Sequence, residues 1–211
     1  MTNEIETVEN LRLQLEIALN QLIAQIGTLT IEPSHQFPFG WRKAAKGRTV
    51  WRLLEEMITQ NLEVRYQELG FSHFSPAQSE VGIEDFTCSI DLDPIIYVNI
   101  KSAIKGQKPG KDDISKARKL ADFFEIDPQR ILLIATFELN FLPNMRVQID
   151  QCTVFPVMWL PDIYVNPSNN GNLQSSKYKL INHAVRRTGQ EFLQILQQEI
   201  KKAQEKRQTR N

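Results

Sequence analysis

The chain has 211 residues, of which 41% are hydrophobic and 24% are charged, a balance typical of one globular domain with its own core. Its formal net charge is zero, which excludes a uniformly basic surface for nucleic acid but leaves room for a local basic patch. The two cysteines match no metal-ligand spacing and predict reduced thiols, and the N-terminus is too polar for a signal peptide. No apolar run approaches the roughly 18 residues that span a bilayer, so we expect a cytoplasmic protein with no membrane partner.

The N-terminal segment, residues 1–30, predicts a long amphipathic helix. Apolar residues recur over residues 3–27 at steps of three and four, and Gly27 follows the last of them. The apolar stripe lasts only about three heptads. It can therefore pack on the domain itself or on a second copy of the chain, and a homodimer contact is one of these two alternatives.

A loop and a second helix follow. Residues 31–47 contain helix-breaking prolines and glycines, and the basic run at residues 41–48 holds Lys43 and Arg48 beside a tryptophan. These two side chains can contact DNA phosphates, and the alternative is a solvated basic loop before a helix. The second helix is predicted over residues 49–69.

The middle of the chain predicts a strand, a crossing helix and a parallel strand. Two short strands at residues 82–90 and 94–101 form a hairpin, and residues 112–124 have helical periodicity. Residues 131–138 form a nearly continuous apolar run, which is typical of a strand buried on both faces. This succession favours a βαβ unit within a mixed sheet.

The last third predicts two further strands, at residues 147–149 and 154–160, and then a polar loop at residues 162–177. A final helix begins near Gly189. No linker divides the chain, so we expect a single α/β domain over residues 1–211. Its predicted architecture is a mixed central β-sheet flanked by helices, with an added N-terminal helix.

Three polar side chains are predicted to meet on the hairpin. Asp85 opens the first strand, and the second strand carries Asn99 and Lys101 on one face because strand side chains alternate with period two. A carboxylate, an amide oxygen and an ammonium group at one point suit a divalent cation and a phosphodiester. The alternative is a half-exposed strand whose polar residues face solvent.

The segments Glu84–Thr87 and Asn99–Lys101 together resemble the active-site hairpin of the PD-(D/E)xK nuclease superfamily, which includes many type II restriction endonucleases. The resemblance covers residues 47–138 as a catalytic core and implies a restriction-endonuclease-like fold that binds Mg²⁺. It implies that Lys101 positions the attacking water. It also implies a homodimeric enzyme that cuts double-stranded DNA and leaves 5′-phosphate ends.

Asn99 departs from the superfamily pattern, which usually has Glu or Asp at this position. An amide oxygen can ligate Mg²⁺ but brings no negative charge, so a further carboxylate is needed beside Asp85 and Asn99. In several branches of the superfamily a glutamate of the preceding helix supplies it. Glu55 has the matching helical phase, with Glu56 as the substitute and a solvated pair of glutamates as the alternative. Glu80 is a weaker metal candidate.

Residues 139–211 are predicted to hold the DNA-recognition region and the C-terminal helix. Asn side chains can pair with adenine edges, and Arg or Lys with guanine or phosphate, although a flexible polar loop explains the same composition. Pro161 and Asp162 repeat the opening of the motif, but no strand with an acidic residue two before a lysine follows. Beyond Lys43 and Arg48, the predicted DNA-binding residues are Ser102, Lys105, Asn169, Asn170, Asn172, Lys177, Arg186 and Arg187.

Two functions from different classes remain open. The first is a Mg²⁺-dependent endonuclease. The second is a non-catalytic DNA-binding or scaffold protein that kept the fold after losing an acidic ligand, and Asn99 is the residue that favours it. The chain contains neither G-x-x-x-x-G-K-[ST] nor GxGxxG, so we expect no nucleotide cofactor.

Overall fold

A computed structural model describes residues 3–31, 34–42, 46–79, 82–90, 94–107, 110–168 and 171–209, without the side chains of residues 34 and 46–49. The predicted mixed sheet flanked by helices, with an added N-terminal helix, is confirmed. The described helices are α1 (Glu4–Ile26), α2 (Lys46–Arg65), α3 (Ala117–Ile126) and α4 (Gly189–Gln208). The described strands are β1 (Thr28–Thr30), β2 (His73–Pro76), β3 (Phe86–Ser89), β4 (Ile96–Ile104), β5 (Asp112–Lys116), β6 (Ile131–Leu142), β7 (Arg146–Pro156), β8 (Tyr164–Val165) and β9 (Asn172–Ser175).

The larger sheet has six strands in the order β1-β7-β6-β4-β3-β2. Its central pair, β4 and β6, is parallel, and the other neighbours are antiparallel. β6 is buried without interruption over residues 131–137, as expected for a strand covered on both faces. α3 lies between β4 and β6 in the chain, so the predicted succession of strand, helix and parallel strand is confirmed.

The apolar stripe of α1 packs on its own domain, against β7. Two polar side chains of the helix also complete the open edge of β7 beyond its short pairing with β1. Asn20 exchanges two hydrogen bonds with the backbone of Cys152, at 2.9 and 3.0 Å, and Glu16 accepts one from the Val154 N–H at 2.8 Å. These bonds satisfy backbone groups that a bare edge strand would leave unpaired.

Helices α3 and α4 are joined by aromatic packing and a close backbone approach. Phe124 of α3 meets Phe192 of α4 edge to face, with ring centroids 5.3 Å apart. α4 begins with a capping box between Thr188 and Glu191. A Cβ atom at Gly189 would lie 1.9 Å from the Pro128 carbonyl oxygen, so this contact requires glycine.

The sequence-based prediction of a helix over residues 112–124 is wrong in its first part. Asp112–Lys116 forms β5, and the helix begins only at Ala117. The predicted loop at residues 162–177 contains β8 and β9, and these strands join β5 in a second sheet of order β5-β9-β8. The periodicity of apolar residues suited a helix, but pairing with a strand almost 60 residues away determines the local structure.

Two further elements differ from the predicted ones. α2 ends at Arg65, because residues 66–70 form a turn that closes at Gly70 with a φ of 86°. The two strands predicted at residues 147–149 and 154–160 form one strand, β7, followed by a 3₁₀ turn at Val157–Trp159.

Within the described ranges, no helix is both long enough and apolar enough to cross a membrane.

Candidate active site

Asp85 lies at the point where β3 and β4 cease to pair. Its backbone N–H donates to the Val98 carbonyl at 2.7 Å, and its Oδ2 accepts a hydrogen bond from the Ile100 N–H at 2.5 Å. The carboxylate therefore takes the place of a backbone carbonyl in the ladder. This arrangement fixes the acid group beside Asn99, the residue between its two partners.

Asn99 and Lys101 share one face of β4, while Val98 and Ile100 are buried on the other. The Asn99 side chain donates from Nδ2 to the Ile83 carbonyl at 3.0 Å. Its Oδ1 atom is buried and has no hydrogen-bond partner in the described part of the chain. Burying an acceptor oxygen without a hydrogen-bond partner costs folding free energy, unless a ligand or a donor binds to it.

Glu55 reaches the same point from α2, where it stands between the buried residues Leu54 and Ile58. Its Oε2 is buried without a hydrogen-bond partner among the described residues, and the Arg52 guanidinium lies 3.9 Å away. The pKa of Glu55 is raised to about 7. Burial is the largest cause, followed by the negative charge of Asp85 and a hydrogen bond between the two carboxyl groups. Two carboxyl groups therefore share this site.

Glu56, the substitute considered for Glu55, is exposed. Its carboxylate accepts a hydrogen bond from the Gln60 side chain one turn along the same helix, at 2.8 Å. The geometry therefore favours Glu55 as the acid that joins Asp85.

Lys101 is surrounded by acidic groups. Burial lowers the pKa of its ammonium group, while the charges of Asp85, Asp113, Asp112 and Glu55 oppose that shift. Asp112 and Asp113 belong to β5 and were missed by reasoning from the sequence. Both lie near Lys101 because β5 pairs with β9 in the second sheet, which approaches the hairpin.

Glu55 and Lys101 both line a cleft of about 970 Å³. Its walls come from α2, the end of β4, the middle of β6 and the segment after β9. Thr136 of β6 pairs in register with Lys101 and also lines the cleft, and its Oγ1 is a third buried oxygen with no hydrogen-bond partner in the described segments. A cleft of this size can hold a substrate much larger than water.

The oxygen atoms of Asp85, Glu55 and Asn99 fit a hard divalent cation such as Mg²⁺. Two carboxyl groups close enough to raise one pKa are stabilised when a cation lies between them, and the unpartnered oxygens of Glu55 and Asn99 supply unused acceptors. The described residues contain no group of three or more His, Cys, Asp and Glu arranged around a metal. The third residue of the set, Asn99, offers an amide oxygen in place of a carboxylate.

The predicted DNA-binding residues lie in several different environments. Ser102 is exposed and lines the cleft. Lys105 pairs with Asp150 at 2.5 Å, and Arg186 lies 3.7 Å from Glu9. The Asn172 side chain donates to Asp113, and the backbone N–H of Lys177 donates to the Ser175 hydroxyl. The Arg187 guanidinium donates to the carbonyls of Met158 and Leu160.

Five of the predicted residues lie outside what the structure describes. These are Lys43, Asn169, Asn170 and Glu80, together with the side chain of Arg48. Among the described residues predicted to bind DNA, Ser102 is the one that lines the cleft. The others lie outside the cleft, and DNA binding by them stays a prediction.

Comparison with solved structures gives distant matches, of which a restriction endonuclease is one. The NlaIV restriction endonuclease superposes with a TM-score of 0.44 at 16% sequence identity, over 64% of this chain and 53% of that enzyme. This chain thus spans about half the length of that enzyme. No family model matches the sequence, and the curated proteins include no match. The roles of the site residues therefore rest on the geometry of this chain.

Proposed function

We propose that this chain is a Mg²⁺-dependent endonuclease that hydrolyses phosphodiester bonds of double-stranded DNA as a type II restriction enzyme. One observation carries the proposal. The carboxyl groups of Glu55 and Asp85 meet beside the unpartnered amide oxygen of Asn99, and the ammonium group of Lys101 lies within their electrostatic reach. This combination is suited to a cation and a phosphate together.

Each residue has a distinct role in this mechanism. Glu55, Asp85 and Asn99 would hold Mg²⁺, which when bound polarises the phosphate and withdraws its negative charge. Lys101 orients the attacking water and stabilises the charge that develops on the non-bridging oxygens of the pentavalent phosphorane. The water oxygen bonds to phosphorus and the bond to the 3′ oxygen breaks. The leaving 3′ oxygen takes up a proton and the water gives one to solvent, which yields a 3′-hydroxyl and a 5′-phosphate.

Incubation of the pure protein with plasmid DNA, in Mg²⁺ and in EDTA, tests the proposal. We expect discrete fragments in Mg²⁺ and none in EDTA. Lys101→Ala should lower the rate by about 10²–10⁴-fold, the range typical of a positioned acid–base group. A smear in place of discrete fragments would show a nuclease without sequence choice and would contradict assignment to the type II class.

The neighbouring glutamates of α2 provide a matched pair of variants. Glu55→Gln should lose cleavage because it removes a charged ligand, whereas Glu56→Gln should cut at the parental rate. If Glu56→Gln is the impaired variant, the acid has been assigned to the wrong residue. Circular dichroism of both variants controls for the integrity of the helix.

The second candidate function is that of a DNA-binding or scaffold protein without catalysis. Asn99 supports it, because among the described residues two carboxyl groups meet at the hairpin site, and the amide brings no negative charge where an acid is usual. DNA binding without cleavage in either Mg²⁺ or Mn²⁺ would favour this candidate over the endonuclease.

A further inference from the structure

Part of the cleft wall comes from a segment that the proposed mechanism does not use. This segment follows β9 and contributes Ser176, Tyr178, Lys179 and Leu180 to the lining. The segment is tied to the start of β5, whose first residue, Asp112, also lines the cleft. The second sheet therefore supplies the part of the cleft that the hairpin and α2 leave open.

Lys179 is held in this wall by two neighbours. Its Nζ lies 3.2 Å from Asp112 Oδ2, and 4.7 Å from the centre of the Tyr178 ring. The Tyr178 hydroxyl donates to the same Asp112 oxygen at 2.7 Å, and Tyr178 is only 2% exposed. A buried tyrosine thus fixes the carboxylate that in turn fixes the lysine.

The Lys179 side chain keeps 26% of its accessible surface. An ammonium group has three donors, and Asp112 uses one of them, so capacity for another acceptor remains. A solvent-accessible ion pair by itself contributes little to stability, which is a weak reason to place a lysine on a buried tyrosine. Placement of a positive charge at a defined point of the cleft is the stronger reason.

Asp112 also links this wall to the hairpin. Its charge is one of the three aspartate charges that oppose the lowering of the Lys101 pKa by burial, so both lysines belong to one electrostatic neighbourhood. Asp112 alone would repel a phosphate, but its carboxylate accepts hydrogen bonds from both Tyr178 and Lys179. The chemistry that matches a fixed ammonium group in the wall of this cleft is a phosphate oxygen.

We propose that Lys179 binds a phosphate of the DNA other than the one that is cut, and so positions the strand over Lys101. This inference rests on the proposed nuclease function and adds a binding contact from the second sheet. Lys179 acts here as a positioning residue, because it touches the substrate away from the reacting atoms.

Salt-dependent DNA binding tests the contact without any cleavage. Binding of a fluorescent duplex is measured by anisotropy in EDTA and in Ca²⁺ over a series of salt concentrations, and log Kobs is plotted against log salt. Loss of one phosphate contact reduces the slope by about 0.9, so Lys179→Ala should show that reduction and weaker binding at low salt. Lys179→Arg keeps the charge and should restore the parental slope.

Lys202→Ala is the matched control. Lys202 is an ion-paired lysine, 2.6 Å from Glu199 on α4, and it does not line the cleft. Its removal should leave the slope unchanged. An unchanged slope in Lys179→Ala, an equal change in Lys202→Ala, or absence of DNA binding by the parental protein would overturn the inference.

Cleavage of plasmid DNA in Mg²⁺ is scored separately. If the parental protein binds DNA with the Lys179-dependent slope but does not cut, the contact stands and the nuclease proposal fails. If it cuts and the slope is independent of Lys179, the nuclease proposal stands and the contact fails.

Discussion

Asp85 and Asp162 each open a short extended segment, yet the protein surrounds them in opposite ways. Asp162 has donors on both oxygens: Ser175 Oγ on Oδ1 at 2.5 Å, and the N–H and Oγ of Ser176 on Oδ2 at 2.9 and 3.2 Å. Asp85 accepts the Ile100 N–H and otherwise faces the carboxyl group of Glu55. Hydrogen bonds within the chain satisfy the first carboxylate, whereas the second faces another acid, with the Lys101 ammonium group in electrostatic reach of both.

This difference sets Asp162, which follows the repeated motif letter Pro161, apart from Asp85. The Asp162 carboxylate accepts three hydrogen bonds and links the start of β8 to the end of β9 as a structural connector. Asp85 instead faces the carboxyl group of Glu55 and helps to raise the pKa of that group. The surroundings of an aspartate, more than its neighbours in the sequence, therefore separate a structural role from a chemical one.

The largest expected effect comes from exchanging the two aspartates for asparagine. Asp85→Asn keeps an oxygen that can accept the Ile100 N–H but removes the charge, so cleavage should fall by at least about 10²-fold with little change in the unfolding midpoint. Asp162→Asn places an amide N–H against donors, and should cost about 1–3 kcal/mol of stability while the enzyme still cuts. Plasmid cleavage and urea unfolding measure the two outcomes.

The comparison fails if the two variants exchange their phenotypes. An Asp85→Asn protein that cuts normally but unfolds early would make Asp85 a structural connector like Asp162. The exposed Asp122 of α3 provides a control position, since Asp122→Asn should change neither measurement.

A smaller effect is expected from pH, through the acid that faces Asp85. The pKa of Glu55 in the folded protein is about 7, above its ordinary value of 4.5, so folding favours the protonated form. Its contribution to stability is complete below about pH 4.5 and is lost as the pH rises through 7. Because the group remains partly accessible to solvent, we expect a difference of about 1 kcal/mol, or about 2–4 °C in Tm for a chain of this size.

Thermal unfolding of the parental protein and of Glu55→Gln, in EDTA at pH 5 and pH 8, isolates this contribution. The parental protein should lose more Tm between the two pH values than the variant does. Mg²⁺ should reduce that loss, because a bound cation favours the ionised carboxyl. Identical pH profiles for the two proteins would show that Glu55 is not strained by Asp85.

The hairpin could be predicted from the sequence because its determinants are local. The alternation around Asn99 and Lys101 and the helical phase of Glu55 both follow from the periods of strands and helices. The second sheet could not be predicted, because Asp113 is held by Asn172 and Gln174, which lie 59 and 61 residues further along the chain. Residues 112–116 therefore read as the start of a helix.

The DNA-binding predictions show a second limit. They were chosen by residue type, and type does not reveal what a side chain contacts. The guanidinium of Arg187 donates to the Met158 and Leu160 carbonyls within the domain, whereas Lys179, from the same polar region, lines the cleft. An arginine near the end of a polar segment and a lysine after a strand look alike in sequence, and only the fold places one of them in the cleft.

The smallest expected effect concerns Asn99, whose neutral amide stands where an aspartate would add a third carboxylate to the site. Asn99→Asp adds a carboxylate beside Glu55 and Asp85, so Mg²⁺ affinity measured by titration calorimetry should stay level or rise by about tenfold. The same change removes the hydrogen bond from Nδ2 to the Ile83 carbonyl, and should lower the stability of the metal-free protein by about 1 kcal/mol. Weaker Mg²⁺ binding in this variant would mean that the bond to Ile83 is what holds the oxygen in place. In that case the hairpin requires an amide at position 99. Asn99 would then resemble Asp162, because a hydrogen bond within the chain would fix its side chain.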